Sequence, residues 1–210
     1  MTMSFLAEPP VLCGALVRLE PLAPAHQADL AAAAEEDRGS YAYTEVPRAA
    51  RVGVYLAAQA GRAAAGQLVP LAQVRLADGR AVGCTSYGNP RYWPGSEDLC
   101  AVEIGWTWLA ASAQGTGINT EAKLLLLEHA FEKLRVARVD FKTDARNTRS
   151  RRALAGLGAC FEGVLRAWSP SRVPGEEGRL RDSAMFSVVA ADWPQIRVAL
   201  RARLDAAKPS

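Results

Sequence analysis

Apolar residues at Val17, Leu19 and Leu22 alternate with Arg18 and Glu20, the period of a strand, and Pro21 ends the run. A helix is expected over about 24–35, closed by EEDRGS, and a second over 47–64, with Pro47 suited to a first turn. Segments 71–76 and 82–87 read as strands joined through Asp78-Gly79, a hairpin signal, and GNPRYWPGSED then reads as a loop. In AVEIGWTWLA, strict alternation places Val102, Ile104, Trp106 and Trp108 on one face and Glu103, Gly105, Thr107 and Leu109 on the other. The period lengthens over 119–134, where Ala122, Leu125, Leu126, His129 and Ala130 form a helical stripe. A strand over 138–143 follows, then a short helix over 149–157 ending at Gly158, a favoured left-handed cap. Strands near 161–166 and 183–189, separated by an arginine- and glycine-rich loop, and a C-terminal helix opened by Asp192-Trp193-Pro194 complete the chain. This order predicts an α+β (mixed α/β) fold, a mixed sheet covered by helices.

At 210 residues and 50% hydrophobic, the chain can bury a full core and is expected to be one domain over 1–210, with its core at about 16–190 and its last helix at about 192–206. No run of about 18 uncharged apolar residues occurs, and the first residues lack a basic start, so neither a membrane span nor a signal peptide is expected and the location predicted is cytoplasmic. Cys13, Cys84, Cys100 and Cys160 form no CxxC pair and read as reduced small hydrophobes. With His26 and His129 the only histidines, no metal site is expected. The net charge of +3 is a weak pointer to nucleic acid, because arginine enrichment accompanies alanine enrichment.

The most informative local pattern is QGTGIN, Gln114 to Asn119, between a predicted strand and a predicted helix. A helix start leaves about four N–H groups unpaired and carries roughly half a positive charge, so nearby glycines let an anion approach the backbone. The P-loop pattern needs a lysine that is absent, and the dinucleotide pattern GxGxxG needs glycine where Thr120 stands. From the loop alone two readings stand: a phosphate cradle, or a tight strand-to-helix turn.

VEIGWTWL, QGTGINTEAK, VDFKTDARNTRSRRAL, GACFEGVLR, RDSAMFSVV and DWPQIRVAL, in this order between about Leu16 and Leu204, resemble the GCN5-related N-acetyltransferase (GNAT) superfamily. The chain is most similar there to the branch of bacterial ribosomal-protein N-acetyltransferases. The resemblance implies a mostly antiparallel twisted sheet, acetyl-CoA as co-substrate without a metal, and direct acetyl transfer to a primary amine of a small molecule, a peptide or a protein N-terminus. It implies that Gln114, Gly115, Thr116, Gly117, Ile118, Asn119 and Thr120 hold the pyrophosphate, and that Trp108 and Leu109 face the pantetheine arm. Asn119 departs from the family's Gly or Ala, although Asn can still cap a helix. The resemblance also implies a bulge in the VEIGWTWL strand that presents an N–H to the thioester carbonyl, Asn147 bonding the pantetheine arm, and Ser150 beside the sulfur as proton donor.

Each candidate has a plainer alternative. Glu103, expected opposite the tryptophan face, is either the general base or an ordinary paired strand carboxylate. Asn147 either holds the pantetheine or caps the helix that follows, with Ser150 in its first turn. Arg146, Arg149, Arg151 and Arg152 contact the adenosine 3′-phosphate, an acidic protein or RNA, or form a solvated face. Tyr41, Tyr43 and Tyr87 form an aromatic acceptor wall or sit in the core, and Trp93 is a lid residue or a dimer contact. Ile196, Val198, Leu200 and Leu204 either support a homodimer or cover the sheet. The rival to a transferase is a non-catalytic acyl-CoA or nucleotide-binding module, and behind it an RNA-binding protein.

Overall fold

The computed structural model describes residues 9–206. Its strands are β1 (Leu12–Cys13), β2 (Val17–Pro21), β3 (Leu68–Arg75), β4 (Ala81–Tyr92), β5 (Leu99–Leu109), β6 (Arg138–Asp144), β7 (Cys160–Pro170) and β8 (Leu180–Val189). They form one sheet in the order β1-β2-β3-β4-β5-β6-β8-β7. Every neighbouring pair is antiparallel except β5 and β6, which run parallel. The helices are α1 (Gln27–Ala34), α2 (Val52–Ala64), α3 (Ile118–Glu128), α4 (Thr148–Gly156) and α5 (Trp193–Ala206). None of the described helices is long and apolar enough to cross a membrane.

The helices pack where their apolar stripes require. α1 and α2 lie against β4 and β3, while α3 packs on β2 and against α5. Val17, Leu19, Leu71, Ile104, Leu126 and Phe141 are all within 2% of full burial in the shared core. On α5, Trp193, Ile196 and Leu200 are buried and Leu204 packs on the core, whereas Val198 is 65% exposed. The apolar stripe of this helix is thus used inside its own chain.

Three expectations from periodicity need correction. The first five residues of GNPRYWPGSED, 88–92, continue β4, since Arg91 pairs with Ala101 and Tyr92 with Leu99, and only residues 93–98 form the loop, closed by Trp93 N–H to Asp98 O at 3.0 Å. The strand continues past Pro90 because Asn89 takes a left-handed conformation, φ 47°, in a bulge. The second helix begins after Pro47, through a 3-10 turn at Ala49–Arg51, and the helix expected over 119–134 starts at Ile118 and finishes in a π-turn, His129–Lys133.

The third correction concerns β5. Cys84 pairs with Trp108 and Ser86 with Gly105, so Thr85 alone faces both Trp106 and Thr107. The extra residue is a bulge, with Trp106 at φ 51°, and it reverses the alternation. Ile104 pairs with Tyr87, whose hydroxyl donates to Leu126 O in α3 at 2.5 Å, while Trp106 turns to the opposite face, under Arg62 of α2. Glu103 therefore shares a face with Trp106, not the face opposite it.

Candidate active site

Parallel pairing between β5 and β6 covers Ala101–Glu103 against Arg138–Asp140 and then stops. Beyond it lies a cleft of about 630 Å³, lined from β5 by residues 103–109 and from β6 by residues 141–143. The bulge gives β5 its change of direction at this point. Left-handed backbone at a bulky residue is unfavourable, and the structure holds Trp106 there from both sides. Arg62 stacks on its ring at 5.2 Å, and Gly88 lies beneath, where a Cβ would come within 2.5 Å of the ring carbons.

Glu103 is 6% exposed and lines the cleft. Its Oε2 accepts from Asn89 Nδ2 at 2.7 Å and lies 3.4 Å from Lys142 Nζ. The Asn89 bulge on β4 aims that amide. Glu103 is thus both a paired carboxylate and a wall of the cleft.

The glycine loop stands at the other end. Gly115 and Gly117 have φ 77° and 87°, and Gly117 is the N-cap of α3. Glycine is favoured at both because a side chain disfavours left-handed backbone. The N–H groups of residues 115–120 donate to nothing among the described residues; Glu121 N–H is the first to bond inward, to Gly117 O at 2.9 Å. A Cβ on Gly115 would meet open space.

The side chains of this loop have other work. Gln114 Nε2 donates to Leu109 O at 2.8 Å and Ser40 Oγ at 3.0 Å, and its Oε1 accepts from Arg149 at 2.5 Å. Thr116 Oγ1 donates to Ala113 O at 2.7 Å, and Ile118 is buried at 3% exposure. Residues 116 and 118 therefore offer backbone, not side chains. Asn119 differs: its Oδ1 is buried without a partner, and the residue lines the cleft. The carbonyls of Trp108 and Leu109 already accept from Gln73 Nε2 at 3.3 Å and from Tyr41 Oη at 2.8 Å.

At α4, Asn147 Oδ1 accepts from Ser150 N–H at 3.0 Å, so the residue caps the helix. That bond uses the amide oxygen alone. Asn147 and Ser150 both line the cleft, and the Ser150 hydroxyl makes no hydrogen bond among the described residues. The neighbouring arginines are mostly engaged. Arg146 forks onto Asp144 and Glu176, Arg149 holds Gln114 and Ser40 O, Arg151 bonds Ala145 O, and Arg152 is exposed. The tyrosines divide: Tyr41 and Tyr87 are core residues, Tyr43 lines the cleft, and Trp93 lies at the β4–β5 turn, outside it.

Lys123 escaped the sequence reading. It is 4% exposed on α3, lines the cleft, and donates to Thr107 Oγ1 at 2.6 Å and Thr85 Oγ1 at 2.9 Å. No carboxylate forms a salt bridge with it among the described residues, and burial lowers its pKa to about 7. The signal was present: Asn119, Lys123, Leu126 and Ala130 are spaced four, three and four apart, one helical face with a lysine inside it. Asn89, Lys142 and Arg62 had no comparable signal, because strand and helix packing alone brings them to Glu103 and Trp106.

Comparison with known proteins accords with this geometry. The family model described as an acetyltransferase (GNAT) domain matches residues 17–159. The chain is 32% identical over 91 residues to "Uncharacterized N-acetyltransferase p20" of Bacillus licheniformis, a match spanning 43% of this chain and 48% of that protein. The chain thus spans about half the length of that relative. A GCN5-related N-acetyltransferase from Brucella melitensis is similar with TM-score 0.80 and 27% identity, over 94% of this chain and 86% of that one. A protein from T. thermophilus gives TM-score 0.75 and 38% identity, over 93% and 97%. Mycobacterium smegmatis RimJ, solved in complex with CoA-disulfide, shares the fold with TM-score 0.75 at 24% identity, over 93% and 95%. Because the family model extends over well more than half of the sequence, the chain belongs to the GNAT acetyltransferase family.

Proposed function

We propose that the protein transfers an acetyl group from acetyl-CoA to a primary amine by direct attack in a ternary complex, a protein N-terminal α-amino group being one such acceptor. The observation that carries this reading is the row of unpaired N–H groups at residues 115–120, at the start of α3 and beside a cleft between diverging strands. Such a row suits a diphosphate, since the amides and the helix dipole both favour negative charge. Asn119 Oδ1, buried without a partner, suits a donor group on the same ligand. The backbone N–H of Leu109, which points away from β4 because the Cys84–Trp108 pair takes up the Trp108 N–H, and the amide nitrogen of Asn147 are the further groups assigned to the pantetheine arm. Acetyl-CoA supplies an acetyl group activated as a thioester.

The remaining steps belong to this chain. Glu103, held as an acceptor by Asn89 and Lys142, takes the proton of the amine directly or through a water. The Ser150 hydroxyl, uncommitted at the cleft wall, passes a proton to the departing sulfur and takes one back from solvent water in the cleft. The bulge at Trp106 leaves the edge of β5 without a β6 partner, so its backbone is available to polarise the acyl carbonyl.

Isothermal titration with acetyl-CoA and a thiol-release assay against a panel of amines test the reading. Glu103→Gln should lower turnover about 100-fold, and Ser150→Ala about 10-fold, with acetyl-CoA affinity within a few fold of wild type. Absence of both binding heat and a thermal shift at saturating acetyl-CoA would overturn it.

A further inference from the structure

The cleft is lined by basic side chains in excess of acidic ones, and three arginines stand away from the glycine loop. Arg62 comes from α2, Arg172 from the loop between β7 and β8, and Arg181 from β8. None of them hydrogen-bonds to residues 114–120 or to the braces Ser40 and Arg149. Glu45 pairs with Arg172 at 3.1 Å across the cleft mouth. Neither Arg62 nor Arg181 has a salt bridge among the described residues. Arg62 is held over Trp106, and Arg181 Nε meets only the neutral Ser169 Oγ, at 3.2 Å.

A partly buried guanidinium without a carboxylate is an unfavourable arrangement for a free protein. Burial first, and then the field of Arg172, hold Arg62 below its ordinary pKa, against the weaker opposing fields of Glu45 and Tyr55. Burial likewise lowers that of Arg181; the field of Asp144 opposes it, and those of Arg172 and Arg146 add to it. Glu103 makes its direct contacts to Asn89 and Lys142 and none to Arg62 or Arg181; its field reaches Arg181 only as the smallest of the contributions there. Trp106 holds Arg62 beside the bulge, and Arg62, Arg181, Glu103 and Ser150 all line the same cleft.

We infer that the acceptor amine carries an anionic group, a carboxylate or a phosphate, which binds against Arg62 and Arg181. This inference rests on the transferase reading for its chemistry, while the anion site can be measured without turnover.

The probes are the α-amides of glutamate, glutamine, phosphoserine and serine, each alone and each preceded by alanine, so that charge varies at two distances from the amine. In the thiol-release assay the best anionic probe should exceed its neutral counterpart at least about 10-fold in kcat/KM, the scale of a charge-assisted contact. Preference for the phosphoserine or the glutamate arm identifies the anion. Arg181→Gln should reduce the preference to within about 2-fold, with KM for acetyl-CoA unchanged within the same factor; Arg62→Gln should reduce the preference likewise, and because Arg62 also supports Trp106 its effect is read as the ratio of anionic to neutral probes in the same variant. Neutral probes used as well as anionic ones, or a loss expressed in KM for acetyl-CoA, would overturn the inference. Binding of the same probes is also read by thermal shift with and without CoA. A protein that binds the anionic probes through Arg62 and Arg181 but shows no response to acetyl-CoA refutes the transferase reading and retains the anion site. One that binds acetyl-CoA but shows no charge preference in either assay refutes the anion site alone.

Discussion

Lys123 shows how one residue couples the interior of this protein to pH. Burial lowers its pKa from 10.5 to about 7, whereas the unfolded chain retains the ordinary value. Between those pH values the unfolded chain holds a proton that the folded chain has released, so stability rises with pH across the window. The slope approaches about 1.4 kcal/mol per pH unit where the two states differ by one full proton. Lys123→Met removes the titrating group without stranding its neighbours, because Thr85 Oγ1 and Thr107 Oγ1 also lie 2.9 Å from one another. Urea unfolding at pH 7.5, 8.5 and 9.5 should therefore show wild type gaining roughly 1 kcal/mol per unit relative to the variant, with the variant the more stable at pH 7.5. Parallel pH profiles for the two proteins would refute this assignment.

Elements carry the next level of constraint, and Glu121 joins two of them. From the first turn of α3 its carboxylate accepts from Ala15 N–H at 2.8 Å, Leu16 N–H at 2.7 Å and Val17 N–H at 2.9 Å. The start of β2 is thereby fixed to the helix that carries the glycine loop, and a Cβ on Gly117 would lie 3.0 Å from Leu16 Cδ1. Glu121→Gln retains one acceptor oxygen and turns an NH₂ toward an N–H, so it should cost about 2–3 kcal/mol in denaturant unfolding and weaken acetyl-CoA binding in titration calorimetry. Gly88→Ala tests the other support, since its Cβ would meet the Trp106 ring; overpacking there should cost about 1–3 kcal/mol and lower turnover with it. The strands and helices themselves were legible in the sequence because burial repeats with their periods, and the glycine loop because left-handed backbone favours glycine. The β5 bulge was not. An inserted residue between Gly105 and Trp108 leaves the apolar alternation of the sequence intact while reversing the faces. The partners of Glu103 were equally hidden, because Asn89 and Lys142 reach it through pairing on either side of β5, and no local pattern records which strands are neighbours.

At the scale of the whole molecule, the sheet is two blocks that meet along a short seam. β1 to β5 form one antiparallel run and β6 to β8 another, and the parallel pairing between them spans Ala101–Glu103 and Arg138–Asp140. Past this seam the facing edges of β5 and β6 have no strand partner, and open edges exchange their amide hydrogens readily. A ligand seated between them and bound at residues 115–120 contacts both blocks at once, so binding should appear as new protection along both edges. Hydrogen exchange followed by mass spectrometry is expected to slow in peptides covering 104–120 and 141–150 when acetyl-CoA is added, with little change in β2 and β3. At 100 times Kd, linkage stabilises the folded state by about 2.7 kcal/mol. For a chain of this size that corresponds to a rise in Tm of roughly 5–10 °C. Protection confined to residues 115–120 would show that the phosphates bind without the arm entering the seam, and would move the acyl group away from Glu103 and Ser150.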